Sequence, residues 1–361
     1  MIADALRLIE CESPSSDLAA LADCAGLVAG LGERLLGAAP ERIQVDGRTH
    51  LRWRSFDDGP RVLLLGHYDT VWPIGSLARH PATVRDGVLR GPGCVDMKAG
   101  LVLAMHALAG RPDRAGVELL ITADEEIGSP TSRRLIEEDA AGCVAALVLE
   151  AAADDRGALK TARKGIAGYT IDVYGKAAHA GLNPELGVNA SVELAHQIVA
   201  VAGLGNRDRG TTVTPTVLSG GTAANTVPAR ARLVIDVRVP DADEAERVDA
   251  ALKSLRPVLP GARLEVTGGV NRPPMPPEAS AGLHRRAIAV AGRLGQPAPA
   301  GVAVGGGSDG NFTAAIGVPT LDGLGAIGGG AHADDEHVLV DTMDGRVALV
   351  AALIADLRSD S

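Results

Sequence analysis

The chain has 361 residues, 46% of them apolar and only 2% aromatic, and a formal charge of −10. This length accommodates two domains with cores built from Ala, Val and Leu rather than rings. The acidic balance, without a basic stripe, excludes a nucleic-acid surface, and no run approaches the ~20 apolar residues that a membrane span needs.

Met1 to Glu10 interleaves charges with apolar positions, as an amphipathic helix does and a secretory leader does not. Cys11, Cys24, Cys94 and Cys143 are scattered, without a C-x-x-C pair. A reduced, cytoplasmic protein is expected, with no membrane or nucleic-acid partner. Cys94 lies close to Asp96 and is read as a small buried turn residue rather than a ligand.

Residues 61–66 form an apolar run that stops at Gly66, as a buried strand does. A helix is expected over 97–108, a strand over 117–122, a helix over 130–138 with Pro130 in its first turn, and a strand over 145–149. His67 follows the first strand, Glu125 and Glu126 the second, and Glu150 the third. Open α/β sheets bind ligands beyond these carboxyl ends of strands.

The rhythm then changes. Strands are predicted at 169–174, 211–218, 231–239 and 262–267, with helices at 188–201 and 242–255. That β-α-β-β-α-β order is the ferredoxin-like unit. After the proline-rich 272–277 the α/β rhythm resumes. The expected fold class is α/β: a mixed sheet flanked by helices over 1–164 and 272–361, with a ferredoxin-like α+β unit inserted at 165–271.

Several polar residues in the first and last parts carry donor atoms suited to metal. His67 has Asp69 two positions on, so on extended chain the acid shares its face and can orient the ring. Asp96 sits in a Gly-Pro-Gly turn before a helix, where it suits either an N-cap or a bridge between two cations. The adjacent Glu125 and Glu126 would point apart on extended chain, leaving one as a ligand and the other as a base. His332 lies between glycines and the run Asp334-Asp335-Glu336.

Gathering Asp96, Glu126 and Glu150 at the end of a sheet is costly unless cations compensate. Two Zn²⁺ balance three carboxylates and a hydroxide, with His67 and His332 neutral. The histidines favour Zn²⁺, Co²⁺ or Mn²⁺ over Mg²⁺.

At these motifs the chain resembles the M20-type metallopeptidases, and most nearly their glutamate carboxypeptidase branch. The matching stretches are residues 66–72, 91–98, 122–129, 175–181, 184–190 and 305–309. The resemblance implies a catalytic domain in two segments and an inserted lid and dimerisation domain at 165–271. It implies that His67 and Glu150 hold one metal, Glu126 and His332 the other, and that Asp96 bridges them, followed by a cis peptide. Asp69 would orient His67. Glu125 would act as general base toward a metal-bridging hydroxide, and then as general acid toward the leaving amine.

His179 would stabilise the oxyanion, acting from the other subunit of a homodimer. Asn225, Arg238 and Arg272 match positions facing the substrate, and an arginine fork suits a carboxylate. One departure is Ala151-Ala152 after Glu150, where many relatives have a proline. The implied reaction is hydrolysis of an amide bond in a small peptide or N-acyl amino acid, releasing a C-terminal Glu-like or Asp-like residue. A deacylase or a dipeptidase of the same family is the alternative.

Two other readings compete. Gly306-Gly307-Ser308-Asp309-Gly310 matches G-x-S-x-G, and Asp322 and His332 complete a Ser-Asp-His order. That leaves His67, Asp96, Glu125, Glu126 and Glu150 without a role. A non-catalytic metal-binding or peptide-binding protein would be signalled by loss of Glu125 or His179, and both are present.

Overall fold

The three apolar runs pair as neighbours in one sheet. Val62–His67 lies between Val117–Thr122 and Ala145–Val148, parallel to both, and all three are buried along their length. The hairpin Glu41–Val45 and Arg48–Arg54 adds antiparallel strands beside Val117–Thr122, and Thr320–Leu321 adds a parallel strand at the other edge. The result is a six-stranded mixed sheet.

Alternation along the strands sends Val62, Leu64, Leu119, Ile121 and Leu147 into one core. That core is shared with helices Leu18–Leu36, Ala99–Ala109 and Met343–Arg358. Leu63, Leu65, Leu120 and Ala146 point to the other face, against Ile136 and Phe312 from helices Arg133–Ala140 and Gly310–Ala315. Three layers follow from period-two patterning on both sides of one sheet.

The structure is a computed structural model describing residues 1–55, 59–111 and 113–359. It divides into two units. The one just described comprises Met1–Arg163, Met275–Val304 and Ser308–Ser361; the other comprises Lys164–Pro274 and Gly305–Gly307. No helix of the described residues is long and apolar enough to cross a membrane.

The first unit also carries a small sheet. In it His337–Leu339 pairs with Gly328–Gly329 on one side and Val88–Arg90 on the other, with Thr83–Arg85 outermost. The loops leaving these strands bear Asp96 and His332.

The second unit is an antiparallel sheet of four strands, in the spatial order Thr212–Gly220, Arg230–Val239, Gly165–Tyr174, Arg263–Arg272. That is the ferredoxin-like order. Tyr169, Ile171, Leu233 and Ile235 pack against Leu194 and Val201 of helix Ala190–Ala202 and Val248 and Leu252 of helix Ala242–Lys253. Gly305–Gly307 packs here too, since a Cβ on Gly307 would come within 2.7 Å of Ile166 Cδ1.

Several element boundaries differ from expectation: in the second unit two strands run longer, Gly165–Tyr174 and Arg263–Arg272, and near the site two helices start later. Met97 has φ −130° and ψ 35°, outside the helix, which runs Ala99–Ala109. The helix expected from Pro130 begins at Arg133, because Asp124 holds Thr131 N–H at 2.6 Å and the Ser132 hydroxyl at 2.6 Å.

Candidate metal centre and active site

His67 ends the central strand with its ring buried. Its Nδ1 lies 2.9 Å from the Asp69 carbonyl oxygen and 3.4 Å from Asp69 Oδ1. A carbonyl only accepts, so Nδ1 bears a proton and Nε2 faces the site. Nε2 lies 3.3 Å from Asp96 Oδ1 and 3.4 Å from Glu150 Oε1, and makes no hydrogen bond. The closest support of the ring is thus the backbone of Asp69. The Asp69 carboxylate has other guests: it accepts from Glu125 N–H at 3.1 Å, Glu126 N–H at 3.2 Å and the Ser15 hydroxyl at 2.7 Å.

Asp96 is not an N-cap. It lies in the loop Gly91 to Lys98 with φ −118° and ψ 93°, and the Asp96–Met97 peptide is cis. Gly93 has φ +68°, and a Cβ there would collide with Thr70 Cγ2, so the loop requires glycine. The second oxygen of Asp96, Oδ2, lies 3.2 Å from His332 Nε2, which is itself 3.2 Å from Glu126 Oε2. His332 adopts φ +64°, a left-handed conformation rare for a residue with a Cβ.

Glu125 and Glu126 sit on a short 3-10 turn, Glu125–Ile127, not on extended chain. At three residues per turn their side chains still diverge. Glu126 turns toward His332. Glu125 groups with His67 and Glu150, all three with ligand atoms within 4.8 Å of one another. The turn is pinned by Asp124, which accepts from Thr131 and Ser132, and by Asp309, which accepts from Thr122 at 3.1 Å and from Ser129. Glu150 has two cations near its far oxygen: Arg163 Nη2 at 3.8 Å and Lys160 Nζ at 3.9 Å.

The charges respond to this crowding. Burial opposes a charge on His67, yet Asp69, Asp96 and Glu150 outweigh it and hold the imidazole well above its usual range. Hydrogen bonding to Asp96 and Glu126 pushes His332 up to about 10. Burial works to raise Asp96, but His332 and His67 overcome it and leave its carboxyl far below the usual range. Burial, with Asp96 alongside, pushes Glu126 up against the pull of His332.

This donor set fits divalent cations. His67 Nε2 and Glu126 Oε1 are buried without a hydrogen-bond partner. The ligand atoms of His67, Asp96 and Glu126 also lie within 4.8 Å of one another. Protons on two histidines supply in the metal-free chain the positive charge that cations would otherwise bring. His67 faces one oxygen of Asp96 and His332 the other, with Glu150 beside His67 and Glu126 beside His332.

His179, Asn225, Arg238 and Arg272 belong to the second unit and are described within it. His179 is exposed, and its Nδ1 accepts from Gly181 N–H at 3.1 Å and Leu182 N–H at 3.2 Å. Its proton therefore sits on Nε2, which is a donor. Asn225 is exposed, its carbonyl accepting from Ala180 N–H at 2.9 Å. Arg238 closes a fork on Asp236, its Nε at 2.9 Å from Oδ1 and its Nη2 at 2.9 Å from Oδ2. Arg272 is buried at the end of its strand.

The serine-elbow reading does not survive. Ser308 is fully buried, its hydroxyl donates to Asp322 at 2.6 Å, and His332 faces Asp96 and Glu126 instead. Cys94 is a buried turn residue whose thiol is pushed up by burial. The sequence reading did not foresee the supporting roles of Asp309, Asp322 and Glu336, acids that take no part in the apolar patterning and gather donors only once distant loops meet.

Residues 63–356 match the family described as Peptidase family M20/M25/M40. Carboxypeptidase G2 of Pseudomonas sp. (strain RS-16) is 34% identical over 313 residues, covering 83% of this chain and 74% of that protein. A succinyl-diaminopimelate desuccinylase of Methylobacterium sp. (strain 4-46) is 31% identical over 390 residues, covering 98% of this chain and 95% of that one. Solved structures share the fold. The M20 family metallo-carboxypeptidase Sso-CP2 from Sulfolobus solfataricus has a TM-score of 0.78 at 18% identity, covering 98% of both chains. The Bacillus subtilis YXEP protein, described as a dinuclear metal binding peptidase, has a TM-score of 0.65 at 16% identity, covering 100% of this chain and 98% of that one. With the family match spanning most of its length, this chain belongs to peptidase family M20/M25/M40 and is a metallopeptidase-class hydrolase.

Proposed function

We propose that this protein is a two-zinc hydrolase that cleaves an amide bond and releases an amino acid whose free carboxylate lies beside that bond. One observation carries the reading: the two oxygens of Asp96 each face a different histidine, His67 Nε2 at 3.3 Å and His332 Nε2 at 3.2 Å, with Glu150 and Glu126 alongside. Asp96 is the bridging ligand in this reading, and Co²⁺ or Mn²⁺ would also suit the donors. When bound, the cations would polarise the scissile carbonyl and let an attacking water ionise near neutral pH.

The chain's own residues do the rest. Glu125 takes the proton of the attacking water and returns it to the departing amine. Asp69 holds the backbone of both glutamates, so base and ligand keep their spacing. His179 donates its Nε2–H to the carbonyl oxygen as charge develops there. Arg272 and Arg238 are the candidate carboxylate anchors, an arginine fork suiting a carboxylate; Arg238 would have to release its fork on Asp236 to serve, and Asn225 contributes polar contacts. The inserted unit serves as lid and dimerisation domain. Val192 and Val199 on helix Ala190–Ala202, and Val217 and Leu218 on the edge strand Thr212–Gly220, expose apolar surface that supports a homodimer.

Likeness to carboxypeptidase G2 supports a C-terminal Glu or Asp preference. Likeness to a desuccinylase over 98% of the chain supports the second reading, removal of an acyl group from the same kind of amide. The test is free amino-acid release from a panel of N-acyl amino acids and dipeptides, with Zn²⁺ and with EDTA. Chelator-sensitive release favouring Glu or Asp is expected. Chelator-sensitive release of another amino acid moves the specificity to the second reading, and release that survives EDTA overturns both.

A further inference from the structure

The loops bearing Asp96 and His332 are far apart in sequence, and a single buried carboxylate joins them. Glu336, fully buried, accepts from Gly93 N–H at 2.9 Å, Val95 N–H at 2.9 Å, Asp96 N–H at 3.1 Å and the Trp72 indole N–H at 2.7 Å. Three amides of one loop converging on one carboxylate make an anion nest built from protein on both sides. The nest is the loop that presents Asp96. Its guest is four residues beyond His332, in the turn between Gly328–Gly329 and His337–Leu339. At their bases the two loops are already joined, since His337–Leu339 pairs with Val88–Arg90. Arg90 Nη1 adds a contact to the Asp335 carbonyl at 3.2 Å.

We propose that Glu336 is the positioning residue of the metal centre, fixing the Asp96 carboxylate and the His332 ring relative to one another by holding the backbone of one loop from the other. The inference rests on Asp96 and His332 being metal ligands. Glu336 itself faces backbone and indole donors, not the ring nitrogens, so it acts through its neighbours. Outer partners of this kind set ligand orientation, and losing one costs roughly 10- to 100-fold in metal affinity.

The experiment titrates the metal-free chain with Co²⁺, following affinity and the visible Co²⁺ spectrum, for wild type, Glu336→Gln, Glu336→Asp and Asp96→Asn. The Gln amide turns two donors toward a nest that offers only donors. Glu336→Gln is expected to weaken at least one Co²⁺ equivalent by tenfold or more and to change the spectrum, and also to lower the melting temperature of the metal-free chain, since buried donors lose their acceptor. Glu336→Asp keeps the charge but falls short of the full nest, and a smaller shift in the same direction is expected. Wild-type affinity and spectrum in Glu336→Gln overturn the proposal, whatever happens to its melting temperature. Should that variant not fold, Glu336→Asp decides by the same measurements. Asp96→Asn separates the underlying reading: if it binds Co²⁺ as wild type does, Asp96 is not a ligand and the positioning role falls with it.

Discussion

At the scale of single residues, adjacent glutamates have different surroundings. Glu126 faces His332, whereas Glu125 stands with His67 and Glu150, and both backbones hang from Asp69. If Glu125 is the proton shuttle, Glu125→Gln keeps the shape and removes the base. Turnover should fall by about 10²- to 10⁴-fold, while metal content measured by elemental analysis stays at the wild-type level. Loss of one metal along with activity would make Glu125 a ligand. The residue types of this centre were legible in sequence because each follows a strand end or a glycine turn. Their supports were not: Asp309 meets Ser129 and Thr122 across 180 or more positions of chain, a distance no local pattern reports. Asp69 lies beside His67, and its carbonyl approaches the ring closer than its carboxylate does.

Among elements, the strand Val117–Thr122 shows what apolar patterning conceals. It was readable as a buried strand, and Glu118 within it would ordinarily be taken as a solvated position. Instead Glu118 is buried, and burial with Asp139 nearby pushes its carboxyl up to about 8, against the pull of Arg52 and Arg54. The unfolded chain releases this proton near 4.5. The group's contribution to stability is therefore full below pH 4.5 and is lost as pH rises through 8. Glu118→Gln should flatten the fall in stability between those limits, gaining roughly 1–2 kcal/mol over wild type at pH 8 and little at pH 4.5. Chemical denaturation at the two pH values measures it, and parallel losses in both proteins would mean that another group titrates. The small sheet carrying the His332 loop, by contrast, was invisible in sequence, because strands of two and three residues have too few positions to show a period.

For the molecule as a whole, the ferredoxin-like order was readable because each of its strands alternates and each helix is long enough to show a face. Its proposed part in catalysis turns on assembly. If His179 acts across a homodimer, His179→Ala and Glu125→Ala proteins, each nearly inactive, should recover activity when their subunits are exchanged, toward about a quarter of wild type for random pairing with one intact site per mixed dimer. Exchange verified by mass, without recovery, would place His179 in the same subunit as the base it serves.

Metal loading is the other property of the whole molecule, because it couples the centre to folding and to pH. In the metal-free chain His332 keeps its proton to about 10, and His67 is held well above its usual range. A cation needs the neutral ring, so binding near pH 7 must expel a proton from each histidine that becomes a ligand. Affinity should therefore rise with pH below 10, by up to about tenfold per pH unit for each proton released. Calorimetric titration at pH 7 in two buffers of different ionisation heat should report about two protons released from the histidines when both sites fill, and a further one if a metal-bound water ionises. Binding favours the folded chain, so metal should also raise the melting temperature, and EDTA should reverse that gain. If titration releases no protons, the carboxylates do not hold the histidines charged. If protons are released but the melting temperature does not move, the cations bind the unfolded chain as well as they bind these loops, and the centre is not preformed.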